Sequence, residues 1–126
     1  MSLFPPYSHK KEKPWGYEIV FTPPNLSRVG KILFIKKGCR LSLQYHTLKE
    51  ETLCLFSGKA KIWQEDKDQK IKPLYMEPQM GYTIMRRQKH RIEALEDSFI
   101  FEISSPERGK TIRLEDDYGR GEEKLG

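Results

Sequence analysis

The 126-residue chain predicts an all-β fold, an antiparallel barrel or jelly roll, on three observations. Short segments rich in β-branched and aromatic residues recur along it at nearly even spacing. Gly, Pro and Asp turns separate them. No segment keeps a 3.6-residue apolar period over three turns, so no helix is expected.

The elements follow in order. YEIVFT (17–22) is β-rich and stops at Pro23-Pro24. VGKILFIKKG starts at Val29 and closes at Gly38. RLSLQYH (40–46) alternates, with Ser42, Gln44 and His46 on one face and Leu41, Leu43 and Tyr45 on the other. TLCLFSG ends in a Ser57-Gly58 turn that leads into KAKIWQ, and EDKDQ (65–69) reads as a hairpin tip. KIKPLYM, YTIM, HRIEAL and SFIFEIS then complete about nine strands of ordinary length before Pro106. Residues 1–13 read as an N-terminal arm, 14–120 as the barrel and 121–126 as a flexible tail. There is no internal repeat and no second domain.

The length suits one domain with one modest core. Two cysteines, Cys39 and Cys54, are too few for a disulfide scaffold and are expected as reduced thiols. No signal-peptide pattern and no membrane-length apolar run occur, which predicts a soluble cytoplasmic protein with no membrane partner. The formal charge is +5, but the cations are dispersed among 18 acids. Nucleic acid would need a stripe of Arg and Lys interleaved with exposed aromatics, and that is missing. Anionic metabolites suit the charge equally well.

The polar stripe of RLSLQYH asks for a purpose. Gln44 and His46 share a strand face, Glu51 follows at the start of the next apolar strand, and His90 opens HRIEAL. Two imidazoles, a carboxylate and an amide oxygen make a credible N/O set for a divalent metal such as Zn, Mn, Fe or Ni. The bland alternative is a wet strand face with two hydrogen-bonded histidines. His9, in the basic arm, takes that bland reading.

The spacing of these residues resembles the cupin superfamily. G-CRLSLQY-H-TLKE-E-TLCLFS-G supplies Gly38, His46, Glu51 and Gly58 of its first motif, and G-YTIMRRQK-H supplies Gly81 and His90 of its second. KPWGYE, RLSLQYH, HRIEA and RLEDDYGR together are similar to the type II mannose-6-phosphate isomerase cupin, over nearly the whole chain. The resemblance implies a double-stranded β-helix in a single domain, with Gln44, His46, Glu51 and His90 as metal ligands. Two departures stand out. Leu48 occupies the place where many relatives carry a further His, and Met85-Arg86-Arg87 replaces a Pro-x-Gly turn, which suggests a remodelled approach to His90.

The resemblance further implies interconversion of an aldose phosphate and a ketose phosphate, with a sugar phosphate as the small-molecule partner. Glu102, opposite Phe101 and Ile103 on its strand, is the candidate base or hydroxyl acceptor, with a solvated face as the equal alternative. Arg113 joins it as a catalytic candidate. Arg40, Arg86 and Arg120 are the phosphate-binding candidates, because a guanidinium fork bonds two oxygens at once. Lys13, Trp15 and Tyr17 are expected to pack the arm on the barrel, and Tyr118 likewise. A non-catalytic or differently specific cupin that binds a sugar or nucleotide sugar is the alternative reading. A metal-independent epimerase is disfavoured for want of a His-Asp pair with a Tyr. The resemblance also implies a homodimer paired through sheet extension or arm exchange, with which the basic arm and exposed edge strands agree.

Overall fold

The structure is a computed structural model that describes residues 4–120 and the backbone of 123–124. It contains twelve strands and, among the described residues, no helix. The nine expected strands are all present: β2 (Gly16–Val20), β3 (Val29–Ile35), β4 (Leu43–His46), β5 (Glu51–Ser57), β6 (Ala60–Glu65), β7 (Ile71–Tyr75), β8 (Gly81–Ile84), β9 (His90–Ala94) and β10 (Ser98–Ser104). Three more were not anticipated. Residues expected in the arm form β1 (His9–Lys13), and β11 (Lys110–Glu115) and β12 (Glu123–Lys124) lie near the other end. The remainder of the expected tail is outside the described residues.

Two six-stranded sheets face each other, in the orders β1-β2-β3-β10-β5-β8 and β12-β11-β4-β9-β6-β7. Every strand pair is antiparallel. This is a jelly roll in one domain. The EDKDQ tip joins β6 to β7, with Asp66 Oδ1 accepting from the amides of Asp68 and Lys70. At the β5–β6 turn Gly58 has φ +98°, and a Cβ there would lie 2.3 Å from the carbonyl oxygen of Asp97. Only glycine meets both demands. No described helix is long and apolar enough to cross a membrane.

Alternation divides the interior into two ends. Inward residues of β3 run Lys31, Leu33, Ile35; those of β5 run Glu51, Leu53, Leu55; those of β10 run Ser98, Ile100, Glu102. Register sets Leu33 against Ile100 and Lys31 against Glu102, so like meets like along the sheet. Ile62, Ile84, Ile92 and Ala94 complete an apolar end that is closed to water. The other end collects the charges. That asymmetry positions the site.

Candidate metal centre

Each functional side chain comes from a strand end at the polar side of the barrel. Gln44 and His46 project from β4, and in the register Gln44 faces His90 of β9 while His46 faces Thr111 of β11. Glu51 enters from β5 in the opposite sheet. His46, Glu51 and His90 are all buried and offer ligand atoms within 4.8 Å of one another.

The hydrogen bonds decide what those atoms can do. His90 Nδ1 lies 2.9 Å from the carbonyl oxygen of Gln88, which can only accept, so Nδ1 carries the proton. In the neutral ring Nε2 then bears a lone pair, and it points at Glu51 Oε1 from 3.1 Å. His46 Nε2 approaches the same oxygen at 3.3 Å, and its Nδ1 meets Thr111 Oγ1 at 2.9 Å. Neither Nε2 has a hydrogen-bond partner. Burial pushes the His46 pKa down, against the pull of Glu51, which favours the neutral ring. Acceptors aimed at one another in a dry site need a cation between them. Ligands bonded to zinc at about 2.0–2.1 Å sit roughly 2.9–3.4 Å apart, which matches both imidazole–Glu51 separations. The residues fit a metal.

Around Glu51 lies a buried charge cluster in which three further carboxylates, Glu18, Glu102 and Glu107, are bridged by two ammoniums, Lys31 and Lys49. Lys49 is its hub: Nζ is 3.3 Å from Glu51 Oε2, 3.1 Å from Glu102 Oε2 and 3.4 Å from Glu107 Oε1. Lys31 pairs with Glu107, and with Glu18 and Glu102 at 3.7 and 3.9 Å. Lys49 therefore holds one oxygen of Glu51 and leaves the other to the histidines.

The cluster sets the charge states. Burial works against ionised Glu51, yet the Lys49 ammonium outweighs it and holds its pKa well below the usual carboxylate range. Burial likewise opposes the Lys49 ammonium, but Glu102, Glu51 and Glu107 raise its pKa well above the ordinary value. Glu102 goes the other way: burial first, then the charge of Glu51, push it up to about 7 despite both lysines.

The cavity has a volume of about 160 Å³. Seven cations and four carboxylates line it, a surplus of three positive charges. Gln44, His46, Glu51, His90, Glu102, Arg113 and Arg120 all belong to the lining. Gln44 Oε1 accepts from Ser42 Oγ at 2.6 Å. Arg120 is braced by Asp116 Oδ1 at 3.0 Å.

Several expected positions need correction. Arg40 is outside the cavity and forms a forked pair with Asp117 at 2.7 and 2.9 Å. Arg86 is exposed, because residues 85–89 are a turn and strand parity does not extend through them. That turn survives without its Pro and Gly: Arg87 adopts φ +64°, and its amide donates to the carbonyl oxygen of His46 at 2.8 Å. Leu48 is 51% exposed and is not part of the lining. Leu41 does line the cavity, since the chain is irregular before β4 and the simple alternation fails there. Lys13 and Trp15 also face the cavity, whereas Tyr17 stacks on Phe34 outside it.

Sequence reasoning missed Lys31, Lys49 and Glu107. Lys31 had a signal, for it shares phase with Leu33 and Ile35. Lys49 sits between two expected ligands in TLKEE. Glu107 follows β10 in an aperiodic loop and had none.

No protein-family model matches the chain, and no curated protein matches it. Solved structures do. The chain superposes on oxalate decarboxylase from Bacillus subtilis with a TM-score of 0.70 and 19% identity, over 85% of this chain and 30% of that one. KdgF from Halomonas sp. gives 0.66 and 16%, over 79% and 89%. The capsular polysaccharide assembling protein CapF from Staphylococcus aureus gives 0.66 and 18%, over 98% and 33%. The fold is the cupin jelly roll. At these identities the likeness concerns the fold alone, and the chain spans about a third of CapF and of oxalate decarboxylase.

Proposed function

We propose that the chain is a metal-dependent sugar-phosphate isomerase that interconverts mannose 6-phosphate and fructose 6-phosphate through an enediol(ate). The carrying observation is the convergence of His46 Nε2, His90 Nε2 and Glu51 Oε1 in a cavity that also contains the buried carboxyl of Glu102. These three residues, with Gln44 as a fourth donor, would hold a divalent ion, zinc best and manganese, iron or nickel also suited. Bound there, the ion would polarise a carbonyl and stabilise the oxyanion that develops on it.

The chain's own residues do the rest. Glu102 takes the proton from the carbon beside the carbonyl and returns it to the neighbouring carbon, and a pKa of about 7 suits both directions near neutrality. Lys31 and Lys49 keep that carboxyl in place. Arg113 and Arg120 on the wall bind the phosphate, and the surplus of positive charge favours an anionic ligand. CapF, described as assembling a capsular polysaccharide, is a fold neighbour with a carbohydrate setting.

One observation favours the second reading, a cupin that binds a sugar or nucleotide sugar without turnover. Both ammoniums approach Glu102 through the same oxygen, Oε2, and compete with any proton it would accept. Elemental analysis of the purified protein beside a His46→Ala variant, followed by a coupled mannose 6-phosphate assay, separates the readings. Stoichiometric metal and turnover that both vanish in the variant support the isomerase. Metal without turnover favours the binding reading. No metal even after reloading overturns the metal centre.

A further inference from the structure

The charges of β1 are laid out in two phases. Along HKKEK, His9, Lys11 and Lys13 alternate with Lys10 and Glu12, and period two sends the two sets to opposite faces. Register fixes which set turns inward. Lys11 lies opposite Glu18 and Lys13 opposite Gly16 on β2, and Glu18 is buried in the cavity wall. Lys11 and Lys13 line that same cavity. Lys10 faces the other way: it pairs with Glu12 at 3.4 Å and stands 4.3 Å from the Tyr17 ring centroid. The isomerase reading gives neither inward lysine a task.

We propose that Lys11 and Lys13 are specificity-determining residues that bind the ligand's phosphate from the β1 side of the cavity, facing Arg113 and Arg120. They make the site select a phosphate monoester over the uncharged sugar. This inference rests on the sugar-phosphate reading of the cavity. Position is the first argument. β1 is the edge strand of one sheet, whereas Arg113 on β11 and Arg120 in the turn after it line the cavity from the side of the facing sheet. A phosphate between them meets cations from both sheets, and its three oxygens can accept from both at once.

Depth is the second argument. The buried lysines are engaged by carboxylates, Lys31 by Glu18, Glu102 and Glu107, and Lys49 by Glu51, Glu102 and Glu107. The positive surplus of the lining therefore lies outside that cluster, on β1 and on the arginine side. Lys11 is exposed and Lys13 half-buried, so a phosphate can reach them without losing all its water. Size is the third argument. Pockets that enclose a whole ligand measure roughly 300–1,000 Å³, and this cavity has about 160 Å³. A sugar ring beside Glu51 and the histidines fills it and leaves the charged group near water, where the β1 lysines are.

Titration calorimetry of the full chain with mannose 6-phosphate and with inorganic phosphate tests this, with mannose as the uncharged control. Lys11→Gln should weaken binding of both phosphates by about 3-fold or more, and Lys11→Gln/Lys13→Gln by about 10-fold or more, with mannose unaffected. Lys10→Gln removes the same charge from the opposite face of the same strand and should change either affinity by less than about 2-fold. Hydrogen exchange of the wild type needs no variant, and β1 should gain protection when mannose 6-phosphate saturates the protein. Mannose 6-phosphate bound as tightly by the folded double variant as by the wild type overturns the proposal. Equal losses in Lys10→Gln and Lys11→Gln overturn it too, because net charge alone would then be at work, and so does a wild type that binds neither phosphate. Failure of the isomerase reading looks different: mannose 6-phosphate is bound through Lys11 and Lys13 but not turned over.

Discussion

Replacing Lys49 by methionine is the sharpest probe of the buried charge cluster. Its side chain is 4% exposed, and three carboxylates lie 3.1–3.4 Å from its Nζ. Methionine has a similar length, so little cavity is created and the change is mainly one of charge. Glu51, Glu102 and Glu107 would keep only Lys31 as a buried cation. Removing one partner from a buried ion pair costs about 3–5 kcal/mol, because the other charge is left uncompensated. With an unfolding entropy of roughly 2.1 cal/mol/K per residue, 126 residues give about 0.26 kcal/mol/K, so Tm should fall by about 11–19 °C. The assay is differential scanning calorimetry of chelator-treated protein near pH 7.5. Lys49→Met/Glu107→Gln should recover part of the loss, since it removes one of the stranded carboxylates, and Lys49→Arg should lose least. A fall in Tm of less than about 4 °C, or no recovery in the double variant, would refute the reasoning.

Four further outcomes are expected. Zinc at about 1,000 times its Kd should stabilise the wild type by about 4 kcal/mol, and His90→Ala should abolish that gain in a thermal-shift titration. Thr111→Val removes the partner of His46 Nδ1 and should weaken metal affinity by about 10–100-fold in a competition titration, with far-ultraviolet dichroism unchanged. In metal-free protein, Glu102 binds its proton more tightly folded than unfolded, so its contribution to stability is favourable below pH 4.5 and declines as pH rises toward 7; Glu102→Gln should flatten that slope in denaturant titrations. Arg87→Gly relieves a left-handed residue, and equilibrium unfolding should show a gain of up to about 1 kcal/mol.

The legible parts of the site were those tied to strand phase. Gln44 with His46 and the inward Glu102 follow from period two, and the core follows from the same alternation in β3, β5 and β10. Arg86 shows where this fails, for parity was extended through a turn, where side chains no longer alternate. Arg40 was expected to bind phosphate, yet Asp117 holds it outside the cavity. That contact spans 77 residues of chain, and no local pattern announces it. β1 was missed because the charged strand HKKEK lacks an apolar stripe, and β11 because KTIRLE offers only the short one of Ile112 and Leu114.

Read by itself, the sequence determined the all-β class and nine of the strands, while His46, Glu51 and His90 came together as ligand candidates with the help of the family resemblance. It could do so because alternation and turn chemistry are local properties of the backbone. The tertiary structure decided which charges become neighbours. Lys49, Glu102 and Glu107 meet because β5 pairs with β10 across 53 residues of chain, and only the dry interior beneath the second sheet lets their fields act at full strength. The raised pKa of Glu102 is a consequence of that pairing and burial, and it exists in no single strand.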